Sequence, residues 1–393
     1  SFCPSGTPYS RALGVVVGVL VLEALAHQLV PVPYLTVSVA ILLSVLFTIQ
    51  PIEAQAGSGR TPGLNMGTIP ALCVMWLGLI GVIDRRGYVT ALYGSDTLRP
   101  YHLVVMFLGS VYLCTALERS GFLHAAALKV VNRFGRSPWG LFWALGCFSG
   151  TLTVLIPDDI VTMTLTPITI RICQLYNLTE IPFLFSQFFA GNIWAVTLVT
   201  GNPTNVLLAE DLGDTFVSFA GRMGIPGIAA GLTSFVLMYW TNRNKVDVVS
   251  PPQHGMIEED RELGQLSSGS GAKSSEQSEF TYTGILCLVR VLCATAFCAL
   301  ENFHGLPVYL VVLIMGVASF VLDAAIDWRF AVDTLAHMPW ELFSFVTGFL
   351  VLAEAMSASG ISLWLATIFL PWVTSRNVAY ISGFTTMLFC NIF

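Results

Sequence analysis

Two short stretches of the chain carry residue types that could do chemistry. Asp158 and Asp159 follow Pro157 with apolar residues on both sides, and Gly201-Asn202-Pro203-Thr204-Asn205 interrupts an apolar run, 183–209, that holds no charged residue. Two neighbouring carboxylates in a low-dielectric setting resist double ionisation, so one of them can hold a proton and release it when its surroundings change. Their oxygens are also hard ligands of the kind that suits Na⁺. In the second stretch Pro203 supplies no N–H, frees the carbonyl of Val199 and pushes Asn202 away from helical geometry, while Gly201 loosens the same turn. The freed carbonyls and the side-chain oxygens of Asn202, Thr204 and Asn205 would make a polar site for Na⁺ or H⁺, or for a small neutral solute. Asn192, ten residues before Asn202, is a further candidate for that cavity, although an interhelical hydrogen bond would serve its amide equally well. One Asp of the pair could equally cap the helix that follows it.

The elements that must position these residues are membrane helices. The chain is 55% hydrophobic and 11% charged, against about a quarter charged for soluble domains. The formal charge of −6 argues against nucleic acid as a partner; the lipid bilayer is the expected one. Apolar spans fall at 11–30, 34–49, 68–83 and 101–117, and the alternating apolar and basic residues of 119–137 read as an interfacial helix on the cytosolic face. Around the Asp pair the apolar arms are short for a full crossing, and both outer ends carry Arg (Arg133 and Arg136 before, Arg171 after). A re-entrant hairpin over about 138–174, its tip at 155–159, accounts for this; two ordinary crossings with the pair in an exterior turn fit the charges as well. The run 183–209 reads as a broken transmembrane helix, broken at 201–205. Lipid offers no hydrogen bonds, so such a break survives where it lines a polar cavity or a bound ion.

After a span at 216–240, residues 241–281 are polar and rich in Ser and Gly, a disordered linker placed in the cytosol. Spans recur at 282–300, 306–325 and 340–356. The organisation is therefore an N-terminal half (1–240), the linker, and a C-terminal half (282–393). A shift of 239 residues aligns Pro100 with Pro339, Leu103 with Leu342, Gly109 with Gly348, Leu113 with Leu352, Ala116 with Ala355, Ser120-Gly121 with Ser359-Gly360 and Ala127 with Ala366. That register suggests a duplicated half, and counting crossings makes the two copies inverted. The second copy stops at Asn391-Ile392-Phe393, about where its own hairpin tip should come, so it reads as truncated before a second hairpin arm and a second broken helix. The fold expected is all-α and polytopic, with inverted repeats, re-entrant hairpins and broken helices.

Other residues read more plainly. Arg290 sits mid-span and should face the bundle interior with an acid as partner. Glu23 and His27 lie one turn apart and suit a local pair or a proton relay. Asn177-Leu178-Thr179 is a glycosylation sequon on the expected cytosolic side. Most of the nine cysteines lie in apolar spans and no Cys/His cluster forms a metal site. A soft-metalloid trap at Cys287, Cys293 and Cys298 fails because Cys293 falls on another helix face. A membrane-embedded enzyme using Asp158 and Asp159 would need a second, separated acid or a spaced acidic series, and neither pattern is present.

The segments PDDIVTMTLTP (157–167) and TLVTGNPTN (197–205) resemble the ion transporter superfamily, in particular its arsenical-pump membrane subunit branch, with citrate transporter-like proteins and the P protein as further branches. Thr166-Pro167 and Gly201 to Asn205 match the pattern closely; Pro157-Asp158 departs from the Ser-Asn that precedes the aspartate in that branch. The resemblance implies a secondary active transporter working by alternating access, most of all an arsenite or antimonite efflux carrier coupled to an ion gradient. Sodium/proton antiport and citrate or dicarboxylate transport are the alternatives, the last weakened because a Ser-Asn-Thr tip is missing. It further implies a multi-pass membrane protein, a small inorganic or organic ion as substrate, no cofactor beyond a coupling Na⁺ or H⁺, and a homodimer.

Overall fold

A computed structural model of the chain describes residues 32–49, 55–56, 59–60, 65–94, 99–134, 137–176, 178–243, 245–246, 281–374, 377–378, 380–383 and 385. The expected first span at 11–30 with Glu23 and His27, most of the polar segment 241–281, Asn177 of the sequon and the end of the chain lie outside them. Among the described residues the structure is helical, apart from a two-residue antiparallel pairing of Gln55–Ala56 with Gly59–Arg60. Six helices among the described residues are long and apolar enough to cross a membrane: Tyr101–Arg119, Pro138–Leu155, Phe216–Asn242, Tyr282–Ala299, Val308–Ile326 and Trp340–Ala358. The protein is an all-α polytopic membrane protein.

The chain divides into two compact units, Ser1–Val104 with Pro339–Phe393, and Val105–Met338. In the first, α1 (Val32–Ile49), α2 (Thr68–Ile80) and α3 (Arg85–Tyr93) pack with α14 (Trp340–Ala358) and α15 (Ile361–Phe369). The apolar run expected to span at 68–83 yields a 13-residue helix, because Gly81 ends it in the left-handed conformation at φ 80°. Thirteen residues fall short of the roughly 20 that a crossing needs. The core of this unit joins Val37, Phe47, Cys73 and Leu77 to Val351, Leu352 and Ala355. Asn65 Nδ2 donates to Glu341 Oε1 at 3.0 Å and Ser344 Oγ to Gly67 O at 2.6 Å, which ties α14 to the start of α2.

The second unit holds α4 (Tyr101–Arg119), whose first residues lie in the other unit, the amphipathic α5 (Phe122–Phe134), α6 (Pro138–Leu155) and α7 (Asp158–Leu175). It continues with α8 (Glu180–Trp194), α9 (Pro203–Asp211), α10 (Phe216–Asn242), α11 (Tyr282–Ala299), a helical turn at Glu301–His304, α12 (Val308–Ile326) and α13 (Trp328–Ala336). Arg290 of α11 does find an acid: it pairs with Asp323 of α12, both side chains buried, and Tyr112 of α4 donates its hydroxyl to the same carboxylate at 3.0 Å. The sequence placed Arg290 inward without naming the partner. Beside this network α4 and α12 approach at backbone distance, since a methyl on Gly316 would stand 2.7 Å from Gly109 Cα.

The repeat seen in the sequence extends to the helix boundaries. α4 and α14 are both 19 residues long and begin 239 residues apart, and Phe122 and Ile361 open the next helices at the same offset. Between them Gly121 (φ 77°) and Gly360 (φ 84°) take the same left-handed turn.

Candidate functional site

α6 and α7 form a helical hairpin whose turn is Ile156-Pro157, both buried. Ser137 starts the first arm as a cap, its hydroxyl accepting from Gly140 N at 3.3 Å. The second arm begins at the acid pair itself, so both carboxylates sit in the first turn of α7, where the positive end of the helix dipole favours negative charge. Asp158 is only 4% exposed. Its Oδ1 accepts from Asp159 N at 3.1 Å, and its Oδ2 accepts from Asn202 Nδ2, also at 3.1 Å. That bond brings the hairpin tip and the broken helix together across 44 residues of sequence. The Asp159 carboxylate, partly buried, has no hydrogen-bond partner among the described residues.

The break lies upstream of where the sequence placed it. α8 ends at Trp194; residues 195–197 and 199–201 form single 3-10 turns, Leu198 and Asn202 are extended, and α9 begins at Pro203. The expected interruption at 201–205 is therefore mostly a helix start. Proline is at home in the first helical position, where its missing N–H costs nothing. Asn202 caps the same helix, its Oδ1 accepting from Thr204 N at 3.0 Å and Thr204 Oγ1 at 2.8 Å. Two helix N-termini thus meet at Asp158.

The unwound carbonyls are met from within the chain. Asn205 Nδ2 donates to Ala195 O at 2.9 Å and to Leu198 O at 2.8 Å, and Thr197 Oγ1 donates to Trp194 O at 2.8 Å. Asn205 is buried and serves as an internal clasp; Thr204 is exposed. Gly201 is pressed on the same segment, since a methyl there would come within 3.0 Å of Ala195 Cα. Asn192 stays apart, its amide donating to Phe188 O of its own helix at 2.9 Å. The structure thus gathers Asp158, Asp159, Gly201, Asn202, Pro203, Thr204 and Asn205, and leaves Asn192 outside the hydrogen-bonded group.

Two supports were not read from the sequence. Gln187 of α8 is buried; its Oε1 accepts from Thr169 Oγ1 at 2.5 Å and its Nε2 donates to Thr166 Oγ1 at 3.3 Å, which fastens α8 to the second hairpin arm. A glutamine in an uncharged apolar run is the signal that could have found it. Trp194, the last residue before the break, lies between two glycines: a methyl on Gly150 of α6 would stand 2.8 Å from its Cδ1, and one on Gly231 of α10 would stand 2.6 Å from its Cε2. The unwinding therefore starts at a point fixed from both sides.

The family described as "Citrate transporter" matches residues 19–393 of this sequence. The chain belongs to the citrate transporter family. A Bacillus subtilis (strain 168) protein bearing the name of an arsenical pump membrane protein is 23% identical over 350 residues, 85% of this chain and 76% of its own length. An uncharacterized transporter of Mycobacterium tuberculosis (strain CDC 1551 / Oshkosh) is 21% identical over 313 residues, 80% of this chain and 68% of that protein. The P protein of Mus musculus is 25% identical over 193 residues, 47% of this chain and 22% of the P protein. This member of the citrate transporter family is a transporter and not an enzyme.

Proposed function

We propose that the chain is a secondary active transporter that works by alternating access and moves arsenite or a related metalloid out against a coupled ion gradient. The observation that carries this reading is the bond from Asn202 to Asp158, which joins a helical hairpin tip to an unwound helix segment in one polar site. Sites between discontinuous helices are where secondary transporters hold substrate and coupling ion. Substrate polarity argues for a neutral solute over citrate. Neither stretch, 155–159 or 195–205, contains a Lys or Arg, and two carboxylates stand at the tip; a citrate anion would need a cation with it, whereas As(OH)₃ is uncharged and hydrogen-bonds to amides and hydroxyls.

Within the acid pair the roles divide. Asp158 is committed to Asn202 and to the α7 N-terminus, whereas the Asp159 carboxylate is free to take a proton or Na⁺ and give it up on the other side. Everted vesicles bearing the full-length protein should accumulate arsenite, and accumulation should collapse when the proton gradient is dissipated. Asp159→Asn should abolish the pH dependence of uptake, while Asp158→Asn keeps it. Proton movement driven by Na⁺ with no arsenite flux would make the protein a cation antiporter instead, and unchanged coupling in Asp159→Asn would remove that residue from the mechanism.

A further inference from the structure

Next to the hairpin tip lies a cavity of about 30 Å³, roughly twice the 10–15 Å³ needed to seat one water. Two groups of elements enclose it. Leu155 and Pro157 come from the hairpin and Thr200 from the unwound segment, and these two elements are joined through Asp158 and Asn202. The rest of the wall belongs to α4, α11 and α12, with Ser110, Ala294 and Thr295 among its residues. Those three helices are fastened to one another, since Asp323 of α12 holds both Arg290 of α11 and Tyr112 of α4. The cavity therefore lies where two bodies meet, each tied within itself.

Thr200 is 8% exposed and its hydroxyl has no partner among the described residues, whereas the carbonyls of Trp194, Ala195 and Leu198 in the same stretch are met by Thr197 and Asn205. A buried hydroxyl without a partner costs free energy, and so does a cavity in an otherwise dense interior, whose walls forgo contacts. Both costs fall at one place. Ser110 and Thr295 spend their protons on Phe107 O and Val291 O at 3.1 Å each, so their oxygens can still accept a hydrogen bond.

We propose that this cavity and the Thr200 hydroxyl form a conformational device: the hairpin tip and the unwound segment advance together into the space, and Thr200 then donates to Ser110 or Thr295. The arrangement described here is one state of a two-state element, and its uncompensated hydroxyl favours departure from it. This rests on the alternating-access reading and adds to it which part moves, into what volume, and which hydroxyl changes partner.

The test uses purified full-length protein. Thr200→Val keeps the shape of the side chain and removes its hydroxyl; Ala294→Val puts further carbon into the cavity. Both changes favour the state described here, so each variant should unfold about 2–4 °C higher in detergent. Amides of 158–161 and 198–202 should exchange with deuterium more slowly, by a factor of about 5. Uptake of sodium arsenite by everted vesicles bearing each variant should fall by about the same factor. Gly221→Ala on α10, where a methyl meets nothing within 4 Å, raises stability away from the cavity and should leave exchange in those segments and uptake as in the wild type. A buried water bonded to Thr200 would reverse the first sign, so a Thr200→Val protein that unfolds at lower temperature overturns the device. Wild-type exchange in both variants, or wild-type uptake in both, does so too. Where Ala294→Val fails to fold, Thr200→Val decides alone. Exchange and unfolding are read with no solute present, so a wild type that takes up no arsenite overturns the solute reading and not the device.

Discussion

Asn205 holds the unwound segment closed as well as standing in the candidate site. Its amide hydrogens go to Ala195 O and Leu198 O, a role in the backbone that the sequence did not announce. Replacing Asn205 by Ala leaves the Ala195 carbonyl bare in a buried place and should cost about 1–3 kcal/mol. Thr204→Ala removes a hydroxyl on the exposed side and should cost well under 1 kcal/mol, as surface changes do. Thermal unfolding of the detergent-solubilised variants measures both, and equal losses would show that Asn205 does not hold the break closed. Asp158 and Asn202 were legible because unpaired polar groups are intolerable in hydrocarbon and had to find one another. Whether an amide acts as donor to the backbone or as ligand to a solute depends on distances that residue type does not encode.

At the scale of elements, the sequence marked Pro203 as a disturbance, but the disturbance ends there. The unwinding runs upstream, through 195–202, where Gly227 of α10 leaves room for Thr197 and Gly201 lies against Ala195 of the same segment. Such contacts belong to packing and cast no local pattern. The two helices on either side of Ile156-Pro157 were legible from the apolar arms around an acidic turn. The attachment of the second helix to α8 through Gln187 was not, since an amide, two hydroxyls and the right separation have to coincide. A double-mutant cycle of Gln187→Leu and Thr169→Val should give a coupling of about 0.6 kcal/mol and no more than about 1.7 kcal/mol, the range of hydrogen bonds between membrane helices. Strictly additive losses would mean that the two side chains do not support one another.

Across the whole molecule, polytopic character and the repeat were readable from hydropathy and from one register, while the pairing of Arg290 was not. An arginine in a span demands an acid, but which of several acids comes near is decided by how α11 and α12 pack. Asp323→Asn strands the guanidinium, whose Nε already lacks a partner among the described residues, and should cost about 3–5 kcal/mol. Replacing all three members, Tyr112→Phe with Arg290→Met and Asp323→Leu, should return stability close to that of the wild type. Unfolding midpoints decide this, and a triple variant no better than the single one would show that the network carries more than its charges. The seat of Trp194 has a consequence of another kind. Gly150 and Gly231 form a mould and the indole its casting, so none of the three can be inherited independently. A lineage that enlarges one of the glycines must shrink the ring first, and the place where this membrane helix unwinds is thereby handed down as a single heritable unit.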